Sequence, residues 1–222
     1  MTIRREIVLD IETTGLNYKT GDKIVEIACV ELNDKMITNN FFHTYINPQQ
    51  KIQEAAYKIH GISNNELVNK PSFKNIANDL IEFLQDSPLV IHNANFDVGF
   101  INNELFHTRG KILKNNIIDT LTLSKKKFPT SSVNLNALCK RFNISIIKRK
   151  KHGALIDAKL LAQVYLRMTE GEQQKFNFIN IQMIKQENFK YNCDFCFTSF
   201  KEEACHKFIV SKSNNTLWNC NS

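Results

Sequence analysis

The sequence is poor in the residues that break or bend a chain: seven glycines and four prolines in 222 residues. That scarcity excludes a collagen-like or low-complexity chain. A run of 18 or more uncharged apolar residues is also missing, so no membrane span is expected. The amino-terminal MTIRREIVLDIE has no apolar stretch of signal-peptide length before its charges, and a cytoplasmic protein is expected. In that setting the six cysteines read as thiols or ligands rather than disulfides. What the chain does have is a hydrophobic content of 42%, with 16 phenylalanines, enough for one good-sized domain and an extension or for two small ones.

Acids are scarce along one particular stretch. From Arg109 to Lys151 the chain carries twelve Lys/Arg and one acidic residue, Asp119. The densest parts are KKK at 125–127 and KRFNISIIKRKK at 140–151. A single-sign block inside a folded region, in a chain of net charge +7, reads as a footprint for a phosphate backbone.

Hydrophobic periodicity predicts strands over 5–12, 23–33 and 36–46, with connections short enough to favour antiparallel pairing. Helical spacing follows over 73–85, with Pro71 and Ser72 as a start signal. PLVIHN at 88–93 is a continuous apolar run, as expected of a strand buried on both faces. Helical patterns recur at 96–106, 119–127, 134–142 and 154–168. Three strands followed by alternating helix and strand predict an α/β fold with a mixed sheet. From Gly171 onward the periodicity weakens, and a domain boundary is placed near 170.

Four carboxylates stand where apolar residues are expected. In IVLDIETTGL, Asp10 and Glu12 are two residues apart on a strand and therefore share one side. Taken alone, that pair reads first as a strand ending in solvent, with Thr13-Thr14-Gly15 as a turn. Asp97, however, precedes Phe100, Ile101 and Leu105 at helical spacing, and Asp157 likewise precedes Leu160, Leu161, Val164 and Tyr165. Either aspartate alone could simply complement a helix dipole. Two on core-facing stripes, added to the strand pair, put four carboxylates inward, and uncompensated they would unfold a marginally stable domain. Divalent cations resolve the conflict, and oxygen donors without a soft-ligand cluster indicate Mg²⁺ or Mn²⁺. His152, five residues before Asp157 in a basic, glycine-containing loop, offers a base near neutral pH. Carboxylates for metal, a histidine base and a basic approach surface point to phosphodiester hydrolysis with two ions.

These residues resemble the motifs of the DEDDh 3′–5′ exonucleases. LDIETTGL matches the first motif, HNANFDVGF the second and HGALIDA, with its H-x4-D spacing, the third; IHGI at 59–62 is a further signature between the first two. The resemblance implies an RNase H-like fold, with Asp10, Glu12, Asp97 and Asp157 binding two divalent ions and His152 as the general base. It further implies that Thr13 and the segment His60, Gly61 and Ile62 help hold the terminal nucleotide of a DNA 3′ end.

More narrowly, the chain is similar to the proofreading branch of that family, whose partner is the catalytic subunit of bacterial DNA polymerase III. That likeness implies an exonuclease domain over 1–170 and a polymerase-binding tail over 171–222, partly disordered when free, with Leu217 and Trp218 near its end. Gln173, Phe176 and Phe178 in QQKFNF fit the degenerate pattern of sliding-clamp peptides. Cys193, Cys196, Cys205 and His206 offer zinc donors, although the second spacing is short for a zinc ribbon. An RNA-trimming nuclease of the same family is the alternative enzyme, and a non-catalytic adaptor would have no reason to keep the buried acids.

Overall fold

Why two strands rich in Ile and Val fail to alternate cleanly is explained by what covers them. A computed structural model of the protein describes residues 4–146 and 151–183, with the backbone alone described for 170–183. Strands β1 (Arg5–Thr13), β2 (Ile24–Asn33), β3 (Met36–Tyr45), β4 (Leu89–Ile91) and β5 (Ile117–Asp119) form one sheet in the order β3-β2-β1-β4-β5. Pairing is antiparallel between β1 and β2 and between β2 and β3, then parallel from β1 to β4 and from β4 to β5. The expected mixed sheet is present, and β4 is buried on both faces, with Leu89, Val90 and Ile91 all at 0% exposure.

Alternate residues of β1 supply two cores. Ile7, Leu9 and Ile11 pack with residues of α3 (Phe73–Leu84) and α4 (Ala94–Arg109). Val8 faces the other way, with Ala154, Ala158, Leu161 and Tyr165 of α7 (Ala154–Met183). Asp10 and Glu12 share the parity of Val8, so their strand positions look toward α7. On that side α6 (Leu135–Arg141) packs Leu138 and Cys139 against Leu160, Val164 and Met168. α5 (Thr120–Lys127) follows β5 directly.

Helices α1 (Glu54–His60) and α2 (Asn64–Leu67) lie where no helix was expected, and each buries a single residue. An almost wholly exposed helix has no apolar stripe to betray it. α1 ends on Gly61 at φ +73°, a left-handed position that favours glycine. β5 was likewise not expected, because three residues are too few to show a period of two. The helix expected over 154–168 continues to Met183.

The end of β1 away from the acids is tied to α7 by a closed polar network. Glu6, at 0% exposure, accepts from Lys35 Nζ at 2.7 Å and from the Tyr165 hydroxyl at 2.9 Å. Lys35 also reaches that hydroxyl at 2.8 Å and lies over the ring. Each buried polar atom thereby has a partner, which is what makes the burial of Glu6 tolerable. On the opposite face Phe100 is fully buried one turn after Asp97, with Phe96 and Tyr18 rings at 4.9 and 5.6 Å. Phe100→Ala is expected to cost about 3–5 kcal/mol through lost burial and a cavity. A stability loss below about 1 kcal/mol, obtained from the shift in urea midpoint at constant m, would contradict this packing.

Candidate active site

Asp10 and Glu12 arrive at the carboxyl end of β1, and Asp97 stands in the first turn of α4, just after the neighbouring parallel strand β4. The reversal from β4 into α4 passes through Asn93, which takes the left-handed conformation at φ 71°. Asp119, at the end of β5, fastens this reversal: its Oδ1 accepts from the amides of Asn93 at 3.0 Å and Ala94 at 3.4 Å. The same carboxylate caps α5 through the Leu121 amide at 3.1 Å and the Thr122 hydroxyl at 2.6 Å. Burial works to raise its pKa, but these donors outweigh burial and hold it below the usual aspartate range. The lone acid of the basic stretch is thus a structural clamp.

Asp157 enters from the first turn of α7, 3% exposed. His152 Nδ1 lies 3.1 Å from Asp157 Oδ2. Glu12, His152 and Asp157 each present a ligand atom, and these atoms lie within 4.8 Å of one another. The loop carrying His152 is pinned to α1: the His152 amide donates to the Ile59 carbonyl at 3.3 Å. Lys151 lies across Gly61, where a Cβ would collide with its side chain, and its Nζ sits 5.3 Å from the Tyr57 ring centroid.

The electrostatics show strain at this place. Burial pushes Asp97 up to about 8, and the charge of Asp119 adds to it, against the amides of Asp97 itself and Ile11. Asp10 is raised well above the usual range, first by burial and then by Asp97, Glu12, Asp157 and Glu26. Carboxyls that resist ionising as a group are what a hard divalent cation would relieve, and a set of carboxylate oxygens without a soft ligand fits such an ion. The acids expected to act together are therefore brought together from three elements.

Beside them, a cavity of about 240 Å³ is lined by Glu12, Thr13, Gly15, Leu16, His60 and Phe96, among others. Thr13 donates its hydroxyl to the Gly15 carbonyl at 2.6 Å, closing the turn after β1. Gly15 has no room for a Cβ, because Asp22 and Gln53 occupy that space. His60 is 6% exposed, and its Nδ1 accepts from the Ile62 amide at 3.0 Å. Its proton therefore sits on Nε2, a buried donor that the Thr13 backbone approaches without meeting hydrogen-bond geometry. Burial holds this ring below the ordinary histidine range, with the Thr13 backbone and Glu26 opposing.

Other expected residues fall elsewhere. Gln173, Phe176 and Phe178 lie on the backbone of α7 beyond the side-chain description, and Leu217, Trp218, Cys193, Cys196, Cys205 and His206 lie outside the described residues. So do Lys148, Arg149 and Lys150 of the basic stretch. Arg141 of that stretch stacks on Phe128 at 4.2 Å, and Lys127 donates to the Met168 carbonyl, so part of its charge serves packing. Glu26 and His43, which pair at 2.8 Å beside the site, were not anticipated. The sequence marks Glu26 only as an acid within the otherwise apolar run IVEIACV.

Fold and site together define an RNase H-like exonuclease, and a family model described as Exonuclease matches residues 7–165. The DNA polymerase III subunit epsilon of Rickettsia prowazekii is 50% identical over 184 residues, covering 81% of this chain and 80% of that protein. The subunit of the same name from Escherichia coli K12 is 36% identical over 239 residues, covering 97% of this chain and 98% of that protein. Among solved structures, Exonuclease X in complex with 5′-overhanging duplex DNA superposes with a TM-score of 0.60 at 25% identity, over 74% of this chain and 91% of that one. The chain belongs to this exonuclease family, in the branch of the DNA polymerase III epsilon subunits, and is a 3′–5′ exonuclease. Membership of this family implies divalent metal ions at the site.

The raised Asp97 pKa has a consequence for metal-free protein. Between the ordinary 3.8 and about 8, the folded chain holds a proton at Asp97 that the unfolded chain has released. Its contribution to stability is therefore full at the acid end and is lost as pH rises to about 8. In EDTA, the stability of Asp97→Asn relative to wild type should increase across that window, and Mn²⁺ should narrow the gap by stabilising wild type. A pH-independent difference in urea denaturation would contradict the buried-acid assignment.

Proposed function

We propose that this protein proofreads for the replicative DNA polymerase, removing mononucleotides from a DNA 3′ end by hydrolysis that uses two Mg²⁺ or Mn²⁺ ions. The observation that carries the reading is the convergence of Asp10, Glu12, Asp97 and Asp157 with His152, two of the acids having raised pKa values. When bound, the ions supply charge to stabilise the attacking and leaving oxygens and acidify the attacking water. The four carboxylates hold them. His152 acts as general base. With Nδ1–H donating to Asp157, Nε2 carries the lone pair that takes the proton from water, and the protein contact sets the ring's direction. Both carboxyl groups and imidazole must be in their basic forms for this arrangement to work.

The terminal nucleotide occupies the cavity between the end of β1 and α1. Leu16, Ala55, Ala56, Ile59 and Phe96 supply apolar surface for a base, while Thr13 and His60 supply polar groups. An unpartnered buried N–H costs free energy, and His60 Nε2 gains from a substrate oxygen. Gly61 and Ile62 hold that ring through the cap of α1 and the Ile62 amide. Lys148, Arg149, Lys150 and Lys151 guide the phosphate backbone toward the site.

The polymerase contact is assigned to the tail, 171–222, with Leu217 and Trp218 as anchors for the catalytic subunit and Gln173, Phe176 and Phe178 for the sliding clamp. The tail contains six Lys and five Asp/Glu, nearly neutral in contrast to the basic stretch, and retains scattered aromatics of the kind that anchor interfaces. Met168 is the last described residue in the core cluster with Leu138 and Val164.

Asp10→Asn should leave the fold intact and slow release of nucleotides from a mispaired DNA 3′ end by about three orders of magnitude. Near-normal Mg²⁺-dependent cleavage by that variant, or a preference for RNA ends in the wild type, would refute the reading. Ending the chain after Thr169 should leave an active nuclease that no longer co-purifies with the polymerase. Retained binding, or activity lost through unfolding, would refute the assignment of the tail.

A further inference from the structure

Glu26 takes no part in the mechanism above, yet it is 3% exposed and lies opposite Glu12 in the register of β1 and β2. Such a charge is costly unless its oxygens are occupied. Oε1 pairs with His43 Nε2 at 2.8 Å, and Oε2 accepts from the Ala154 amide at 3.1 Å. Ala154 begins α7, where amide groups have no acceptor within the helix. The preceding Gly153 has no side chain to provide one. Glu26 supplies this cap from the middle of the sheet, and its charge also complements the helix dipole.

We infer that Glu26, braced by His43, is a positioning residue that fixes the start of α7 so that His152 meets Asp157. Ala154 stands two residues after His152, so a shift at its amide moves the loop that bears His152 relative to Asp157. β2 is hydrogen-bonded on both sides, to β1 and β3, and is therefore a firm reference for the helix. The reference strand is also the direct neighbour of the strand that carries Asp10 and Glu12. A cavity of about 380 Å³, lined by Glu26, His43, His60 and His152 among others, adjoins the loop. On that side the loop has space to move, and the Glu26 oxygen restrains it. The opposite tether, from the His152 amide to Ile59, is the longer one at 3.3 Å.

This inference rests on His152 as the general base, and its test separates the two ideas. Cleavage of a single-stranded DNA 3′ end would be followed with the full chain and saturating Mg²⁺. Glu26→Ala should lower kcat by about 10- to 100-fold with little change in KM, the scale of a misplaced catalytic group. Glu26→Gln should stay within about threefold of wild type, because its amide oxygen still accepts from Ala154 and its NH₂ can face His43. In a His152→Ala background, Glu26→Ala should cost no more than about twofold, the non-additivity expected of groups acting in series.

Equal losses in the two backgrounds, or Gln as damaging as Ala, would overturn the role of Glu26. Should Glu26→Ala fail to fold, His43→Ala carries the same test from the less buried side of the pair: a loss of about threefold or more in wild type and none in His152→Ala. A loss from His43→Ala that is the same in both backgrounds would overturn the inference. His152→Ala cleaving at the wild-type rate would instead refute the base assignment, a result read from that variant alone.

Discussion

Mutual repulsion among inward-facing carboxylates is the constraint around which this molecule is arranged. β1 brings Asp10 and Glu12, α4 brings Asp97 and α7 brings Asp157, each from an element with its own hydrophobic reason to be where it is. Burial of these groups opposes folding at neutral pH, as the elevated Asp97 and Asp10 show. A fold selected only for stability would place apolar residues there. In the proposed mechanism the energy held in this cluster becomes affinity for cations, so that strain and function coincide at one point.

The cluster needs a scaffold that does not relax. The two apolar layers that cover the sheet set the distances between the three elements, and polar fastenings refine them. α7 is anchored at its start by Glu26 and farther along by Tyr165, Lys35 and Glu6. The turn into α4 is held by Asp119, whose own hydrogen bonds keep it ionised. These three acids differ from the proposed cation-binding set in what their donors do: each accepts from groups that fix a turn, a helix start or the packing of α7 on the sheet.

Much of this was legible in the sequence because patterning and charge conflicted there. Strand and helix periodicities located the sheet and the major helices, and acids on apolar stripes located the cluster. Asp97 and Asp157 are buried beside the residues whose spacing foretold it: Phe100, Ile101 and Leu105 in one helix, Leu160, Leu161, Val164 and Tyr165 in the other. α1 was hidden because it buries only His60, and β5 because it has only three residues. Glu26 was overlooked for a different reason. β2 is buried almost throughout, so its acids Glu26 and Glu31 have no wet face to be contrasted with, and the partners of Glu26 lie 17 and 128 residues away in sequence. Capping across a sheet leaves no local signature, unlike the capping box of Ser63 and Glu66 at α2.

The central claim is that the four acids form one cation site whose protons leave as ions arrive. Calorimetric titration of Mn²⁺ into metal-free protein near pH 7, repeated in buffers of different ionisation enthalpy, measures both quantities at once. The account predicts two ions per chain and a net release of protons, because Asp97 at about 8 must ionise to take part. Binding with no proton release, or failure of the chain to bind Mn²⁺, would contradict it.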